Sequence, residues 1–278
     1  FMGMYVMLED VGKPFLKSRF GNDDGMLYKC TGDLAYLGPN PGTYANLTCG
    51  DGPCYQPETD EADDYQQLTN LITVINMTAE DFAANIESIF DVDLFIRTLV
   101  AEVATGNWDG IWDCNNYFLY FNPDVNKFQY FRQDLDIAFG TFDTWVPMAT
   151  RDPYTWAVDA RGYRLVQQVL GVPEYRQAFT DYFYMLTATY FKTSGPLIGR
   201  QNKLAAQVNA GFIKDAWRIM DMGWDYYETV ASQTIGVTRP TSGFYEHFMD
   251  EMVNLAIFPF MRDRLGSAAG QLDPPSWQ

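Results

Sequence analysis

Gly106-Asn107-Trp108-Asp109-Gly110-Ile111-Trp112-Asp113-Cys114-Asn115-Asn116 is a polar loop studded with tryptophan, and the segments that follow it decide the fold. Residues 117–121 and 127–131 read as strands of a hairpin, joined by the turn Asn122-Pro123-Asp124. Directly after the hairpin stands Arg132-Gln133-Asp134-Leu135-Asp136-Ile137-Ala138-Phe139-Gly140. A hairpin returns the chain to its starting point, so the two polar loops that flank it end up adjacent. Asp109 and Asn116 lie on the first loop, Asp134 and Asp136 on the second. Carboxylates gathered at one spot repel one another unless a cation joins them. A set made only of oxygen ligands suits Mg²⁺.

Upstream, helical periodicity is continuous. Tyr65, Leu68, Leu71, Ile72 and Ile75 recur at helix spacing, and Thr78 followed by Asp81 resembles a capping box that opens a helix through residue 90. Asp91 can cap a third helix, whose Val92, Phe95, Ile96, Leu99, Val100 and Val103 leave room for one polar face, and Gly106 ends it. Residues 30–63 are rich in Gly, Pro, Asn and Asp and read as a long loop. Residues 1–9 and 26–29 read as strands with a short helix over 11–20 between them. From residue 161 onward the chain reads as mostly helical, broken near Gly171-Val172-Pro173 and Gly195-Pro196. The expected class is α+β: a strand-bearing N-terminal part, then a large helical part carrying the hairpin.

Composition narrows the function classes. Hydrophobic residues make up 47% of the 278 residues, ample for a core. A net charge of −17 repels phosphate backbones and anionic lipid heads, which argues against nucleic-acid binding and polybasic membrane docking. No apolar run is long enough to span a bilayer, and the stretch around 178–191 reads as a buried helix. The chain opens in strand-like sequence with no signal peptide ahead of it, as expected of a fragment whose start has been cut away.

Of the four cysteines, Cys49 and Cys54 flank Gly50-Asp51-Gly52-Pro53, a turn tight enough to close a small disulfide loop. The even count and local spacing favour an oxidising compartment over four unpaired thiols in a cytosolic protein. Two sequons, Asn46-Leu47-Thr48 and Asn76-Met77-Thr78, fit a secreted chain. A zinc site has no histidine near these cysteines. His247 is the single histidine, and no Gly-x-Ser-x-Gly elbow accompanies it, so a Ser-His-Asp hydrolase is not supported. Walker-type and Gly-x-Gly-x-x-Gly phosphate loops are absent, as is EF-hand spacing.

Phosphoryl transfer to a hydroxyl needs a carboxylate that orients the hydroxyl and oxygen ligands that hold Mg²⁺ against the phosphates, which is what the loop–hairpin–loop offers. The run Gly106-Asn107-Trp108-Asp109, then Asn115-Asn116-Tyr117-Phe118-Leu119-Tyr120, then Asp134-Leu135-Asp136 with Phe139-Gly140 resembles the signature of the CotH spore-coat kinase family. Gly3-Met4-Tyr5 leading to Glu9, Gly25-Met26-Leu27-Tyr28-Lys29, Tyr36-Leu37-Gly38 and Ala62-Asp63-Asp64-Tyr65 extend the likeness in the family's order, to about Trp217.

That resemblance implies a protein-kinase-like fold forming one domain over 1–278. Residues 1–62 would be a partial N-terminal lobe with its long loop, and 63–278 a helical lobe with the catalytic segment 106–140. It implies that Asp109 orients the substrate hydroxyl, that Asn116 (with Asn115 as its rival) and Asp134 hold Mg²⁺, and that Asp136 supports the same site. Glu9 and Lys29 would stand on the nucleotide side. The implied cofactors are ATP and Mg²⁺, with Mn²⁺ as a substitute, and the implied partners are extracellular, surface or coat proteins phosphorylated on Ser or Thr. This chain departs from the family at Gln133, where a Trp is usual, in lacking the elements expected ahead of Phe1, and in a longer Asp109-to-Asn116 spacing than conventional kinases. A non-catalytic extracellular module used for adhesion is the alternative reading.

Overall fold

The structure is a computed structural model that describes residues 9–59, 64–135, 138–139, 148–156, 163–192, 195–197, 199–200, 203 and 258–277. Asp136, His247 and all but Glu9 of the strand expected over residues 1–9 lie outside the described residues. The fold mixes α and β: a small antiparallel sheet with several helices around it.

The first helix, α1 (Lys13–Phe20), starts with proline in its first turn and stops at Gly21, whose φ of 77° is the left-handed conformation that glycine adopts without strain. Strand β1 (Leu27–Cys30) follows. The region expected as a plain loop is more structured than its composition suggests. It holds α2 (Pro41–Ala45), a two-residue ribbon of β2 (Thr48–Cys49) and β3 (Gly52–Pro53), and then β4 (Tyr55–Pro57). Asn40 caps α2 by accepting from the Gly42 amide, and a Cys49–Cys54 disulfide closes the ribbon as the spacing predicts. Strands of two or three residues are too short for alternation to be readable, which is why the sequence showed only turn residues there.

Helices α3 (Gln66–Ile75), α4 (Ala79–Asn85) and α5 (Val92–Thr105) fall where the periodicity puts them. The predicted caps form: Thr78 Oγ1 accepts from the Asp81 amide at 3.2 Å, and Asp91 Oδ1 accepts from the Leu94 amide at 3.1 Å. Gly106, at φ 66°, ends α5. The hairpin is β5 (Tyr117–Asn122) and β6 (Lys127–Arg132). Downstream stand α6 (Arg164–Gly171), α7 (Pro173–Tyr190) and α8 (Phe258–Ala268).

One expectation is corrected. The sequence assigns the strand over 26–29 to an N-terminal part and the hairpin to a separate helical part. Instead four of the six described strands form one antiparallel sheet in the order β4-β1-β5-β6, apart from the β2–β3 ribbon, with Cys30 opposite Tyr117 and Tyr117 opposite Arg132. The physical reason is burial. Strand β5 is buried at all but one position, so its outer edge needs a backbone partner as well as a cover for each face. Strand β1 supplies that partner. One sheet face carries Leu27, Phe118, Tyr120 and Phe131 beneath α1, with Leu16 inserted among them. The opposite face carries Tyr28, Cys30, Tyr117, Leu119, Phe128 and Tyr130 into the main core with α3, α5 and α7. No helix among the described residues is long and apolar enough to cross a membrane.

Candidate functional site

The loop after α5 is built on a buried ion pair that the sequence reading passed over. Glu102 lies seven residues after Phe95 and three after Leu99, on the apolar stripe of α5 rather than its polar side, and its side chain is 1% exposed. Its Oε1 accepts from Arg132 Nε at 3.0 Å and from Asn107 Nδ2 at 3.0 Å, and its Oε2 accepts from the Ile111 amide at 3.2 Å. Burial alone would push the Arg132 guanidinium down, but the Tyr130 hydroxyl and the Glu102 carboxylate beside it outweigh that and its pKa is raised. Arg132 also donates to the Asp109 carbonyl at 3.3 Å and to the Asn115 carbonyl. Both ends of the polar loop are therefore fixed to the last residue of the hairpin.

Gly110 is where this loop passes over the pair. A Cβ there would stand 1.9 Å from Glu102 Oε2 and 2.3 Å from Arg132 Nη2, so only glycine fits. The side-chain signal in the sequence was the lone carboxylate on an apolar stripe, with an arginine immediately after the hairpin to receive it.

Asp109 is held from both sides. Asn115 Nδ2 donates to its Oδ1 at 3.1 Å, and Asn116 Nδ2 donates to its Oδ2 at 2.9 Å and to its carbonyl at 3.1 Å. Asn116 reaches this position in a left-handed conformation, φ 54°. With both amide nitrogens turned to Asp109, the Oδ1 atoms of the two asparagines are left as acceptors for another ligand. The carboxylate of Asp109 keeps lone pairs beyond the two it gives to the amides.

The second polar loop does come alongside the first, as the hairpin argument predicts. The Gln133 amide donates to the Asn116 carbonyl at 3.2 Å, and Asp134 follows with φ 60° and an exposed side chain. Further along, the Phe139 amide donates to the Thr105 carbonyl at 2.7 Å, and the Phe139 ring meets Phe191 and Phe260. The segment carrying Asp134 is thus tied at Gln133 and at Phe139. An open cleft of about 340 Å³ runs beside it, lined by Thr98, Ala101, Glu102, Thr105, Arg132 and Leu135.

Among the described residues no three His, Cys, Asp or Glu side chains gather closely enough to hold a metal. The atoms available for a cation are the Asn116 Oδ1 and the Asp134 carboxylate, with Asn115 Oδ1 as the rival amide. They are hard oxygen donors, and Mg²⁺ bound by one or two protein groups keeps several waters, so the residues present fit that ion in kind. Lys29 lies on β1 opposite Phe118 and is exposed. Glu9 is exposed and pairs with Arg19 of α1 at 2.9 Å. Among the described residues no contact joins Lys29 to Glu9.

The chain is 27% identical over 255 residues to invasin CotH7 of Rhizopus delemar, covering 86% of this chain and 41% of that protein. It is 26% identical over 255 residues to spore coat protein homolog 1 of the same fungus, covering 86% of this chain and 40% of that protein. It is 28% identical over 142 residues to inner spore coat protein H of Bacillus subtilis, covering 50% of this chain and 38% of that protein. The chain spans about two-fifths of the length of these curated relatives. The profile of the family described as CotH kinase protein matches residues 1–242, and the chain belongs to that family.

Proposed function

We propose that this chain is the kinase-like domain of an Mg-ATP-dependent protein kinase, which transfers the γ-phosphoryl of ATP to Ser or Thr of secreted, surface or spore-coat proteins. The observation that carries this reading is the Asp109 carboxylate, gripped by two asparagine amides on a loop that a buried Glu102–Arg132 pair immobilises. A carboxylate so fixed can accept a hydrogen bond from a substrate hydroxyl and hold its oxygen toward a phosphoryl group, which is most of what this reaction asks of a protein. The kinase-like arrangement of the chain is part of the proposal.

In this reading Asn116 and Asp134 hold magnesium, Asp136 supports them, and Lys29 and Glu9 contribute on the nucleotide side. The ion supplies charge neutralisation on the transferring phosphoryl, and Mn²⁺ can replace it. The names of the relatives, spore coat proteins and invasins, and the Cys49–Cys54 disulfide support a coat or extracellular destination.

The test is incubation of the purified chain, with any neighbouring segments of its natural protein, with labelled ATP and Mg²⁺ or Mn²⁺, reading phosphate on itself and on casein-like substrates. Asp134→Asn should lose metal-dependent nucleotide binding and activity together. Asp109→Asn should keep nucleotide binding while turnover falls by 10²-fold or more, on the order of a lost positioned acceptor. Mg-ATP binding that survives Asp134→Asn would remove the metal assignment. A second reading, a non-catalytic attachment module, is favoured by the name invasin carried by relatives. It predicts surface binding that both substitutions leave intact and no transferred label.

A further inference from the structure

The two sequons sit in opposite structural settings. Asn46 is exposed at the C-terminal end of α2, and its Nδ2 makes one hydrogen bond, to the Gly42 carbonyl at 2.7 Å. An amide nitrogen has two hydrogens, so one remains for substitution. Thr48 is exposed on β2, next to the disulfide-closed turn. Around that turn a Cβ added at Gly50 or Gly52 would meet nothing within 4 Å, so the ribbon stands open to solvent.

Asn76 is fastened down. Its Nδ2 donates to the Leu34 carbonyl at 2.8 Å and to the Ile72 carbonyl at 2.8 Å, which uses both hydrogens. Leu34 is fully buried, so its carbonyl would lose a partner that water cannot replace. The middle residue is clamped as well, because the Met77 carbonyl accepts from Gln168 Nε2 at 2.8 Å and from Arg164 Nη2 at 3.2 Å. The Thr78 hydroxyl is engaged with Asp81 in the cap of α4. A sugar on Asn76 would have to displace the Leu34 segment from the end of α3.

We propose that Asn46 is an N-glycosylation site of this chain and that Asn76 is not. The donor class is a lipid-linked diphosphate oligosaccharide. The bond from the first sugar's C1 to the diphosphate breaks, a bond from C1 to Asn46 Nδ2 forms, the lipid diphosphate leaves, and the transferase takes the amide proton. Oligosaccharide is added to chains entering a secretory compartment, before folding is complete. The native fold therefore discriminates afterwards: it accommodates a glycan at Asn46 and excludes one at Asn76.

This inference rests on the secreted destination given above but not on catalysis. The experiment directs the chain into the yeast secretory pathway with a heterologous signal and examines secreted and cell-associated protein by gel mobility and peptide mass, with and without peptide N-glycosidase. The expected result is one glycosidase-sensitive shift that Asn46→Gln and, independently, Thr48→Ala abolish and that Asn76→Gln leaves in place. Secreted wild type with no shift, a shift surviving Asn46→Gln, or a glycan mapped to Asn76 in secreted protein would each overturn it. A glycosylated chain without kinase activity leaves the inference standing and removes only the catalytic reading.

Discussion

Glu102→Gln isolates what holds the Asp109 loop. The substitution keeps the length and the Oε1 acceptor for Arg132 and Asn107, but turns a second donor toward the Ile111 amide in place of Oε2. It also leaves Arg132, 5% exposed, facing a neutral group. Removing one partner of a buried pair costs about 3–5 kcal/mol, because the remaining charge has no water to turn to. With a urea dependence on the order of 3 kcal/mol per molar, the unfolding midpoint should fall by roughly 1 M or more.

A double-mutant cycle with Arg132→Met sharpens the reasoning. The double variant should be more stable than the sum of the single losses by about 1–3 kcal/mol, since neither charge is then stranded. Phosphoryl transfer should stay low in the double variant, because the Asp109 and Asn115 carbonyls have lost the guanidinium that aligns them. A Glu102→Gln loss below about 1 kcal/mol, or strict additivity in the cycle, would show that the pair does not organise the loop.

Gly106→Ala should cost about 2–5 kcal/mol in denaturant unfolding, combining left-handed strain with a Cβ placed 2.6 Å from the Phe260 ring, whereas Gly21→Ala, strained but with open space around it, should cost about 1–2 kcal/mol. Replacing Cys49 and Cys54 together by alanine should lower stability by about 2 kcal/mol, the loop-closure value for so short a ring, which thermal unfolding with and without reductant would read. Burial pushes Cys30, Tyr55, Tyr117, Tyr130 and Tyr163 upward. Their folded values lie above the unfolded ones, so their contribution is complete below the ordinary thiol and phenol range and is lost as pH rises from there toward the folded values. The four tyrosines together should steepen the loss to about 5 kcal/mol per pH unit above roughly pH 10, and a joint pH titration by phenolate absorbance and circular dichroism should show ionisation coinciding with unfolding. Ionisation of all tyrosines near their ordinary value in a folded chain would refute it.

Local pattern determined a good deal of this protein. The helices over Gln66–Ile75, Ala79–Asn85 and Val92–Thr105, the caps that Thr78 and Asp91 give the last two, the stop at Gly106, the hairpin and the Cys49–Cys54 bridge are all set by contacts within a few residues, and those contacts are written in adjacent sequence. The meeting of the two polar loops was legible for the same reason, because a hairpin fixes its own ends. Three features depended on the tertiary structure. One was the pairing of β1 with β5, which joins residues about ninety apart along the chain. Another was the strand at Tyr55–Pro57, which is ordered by β1 rather than by its own pattern. The third was the direction of Glu102, whose charge is tolerable on an apolar stripe only because Arg132 arrives from the far end of the hairpin. Periodicity reports which face of an element is buried, but a buried charge or an edge strand is stabilised by a partner that only the packed chain brings within reach.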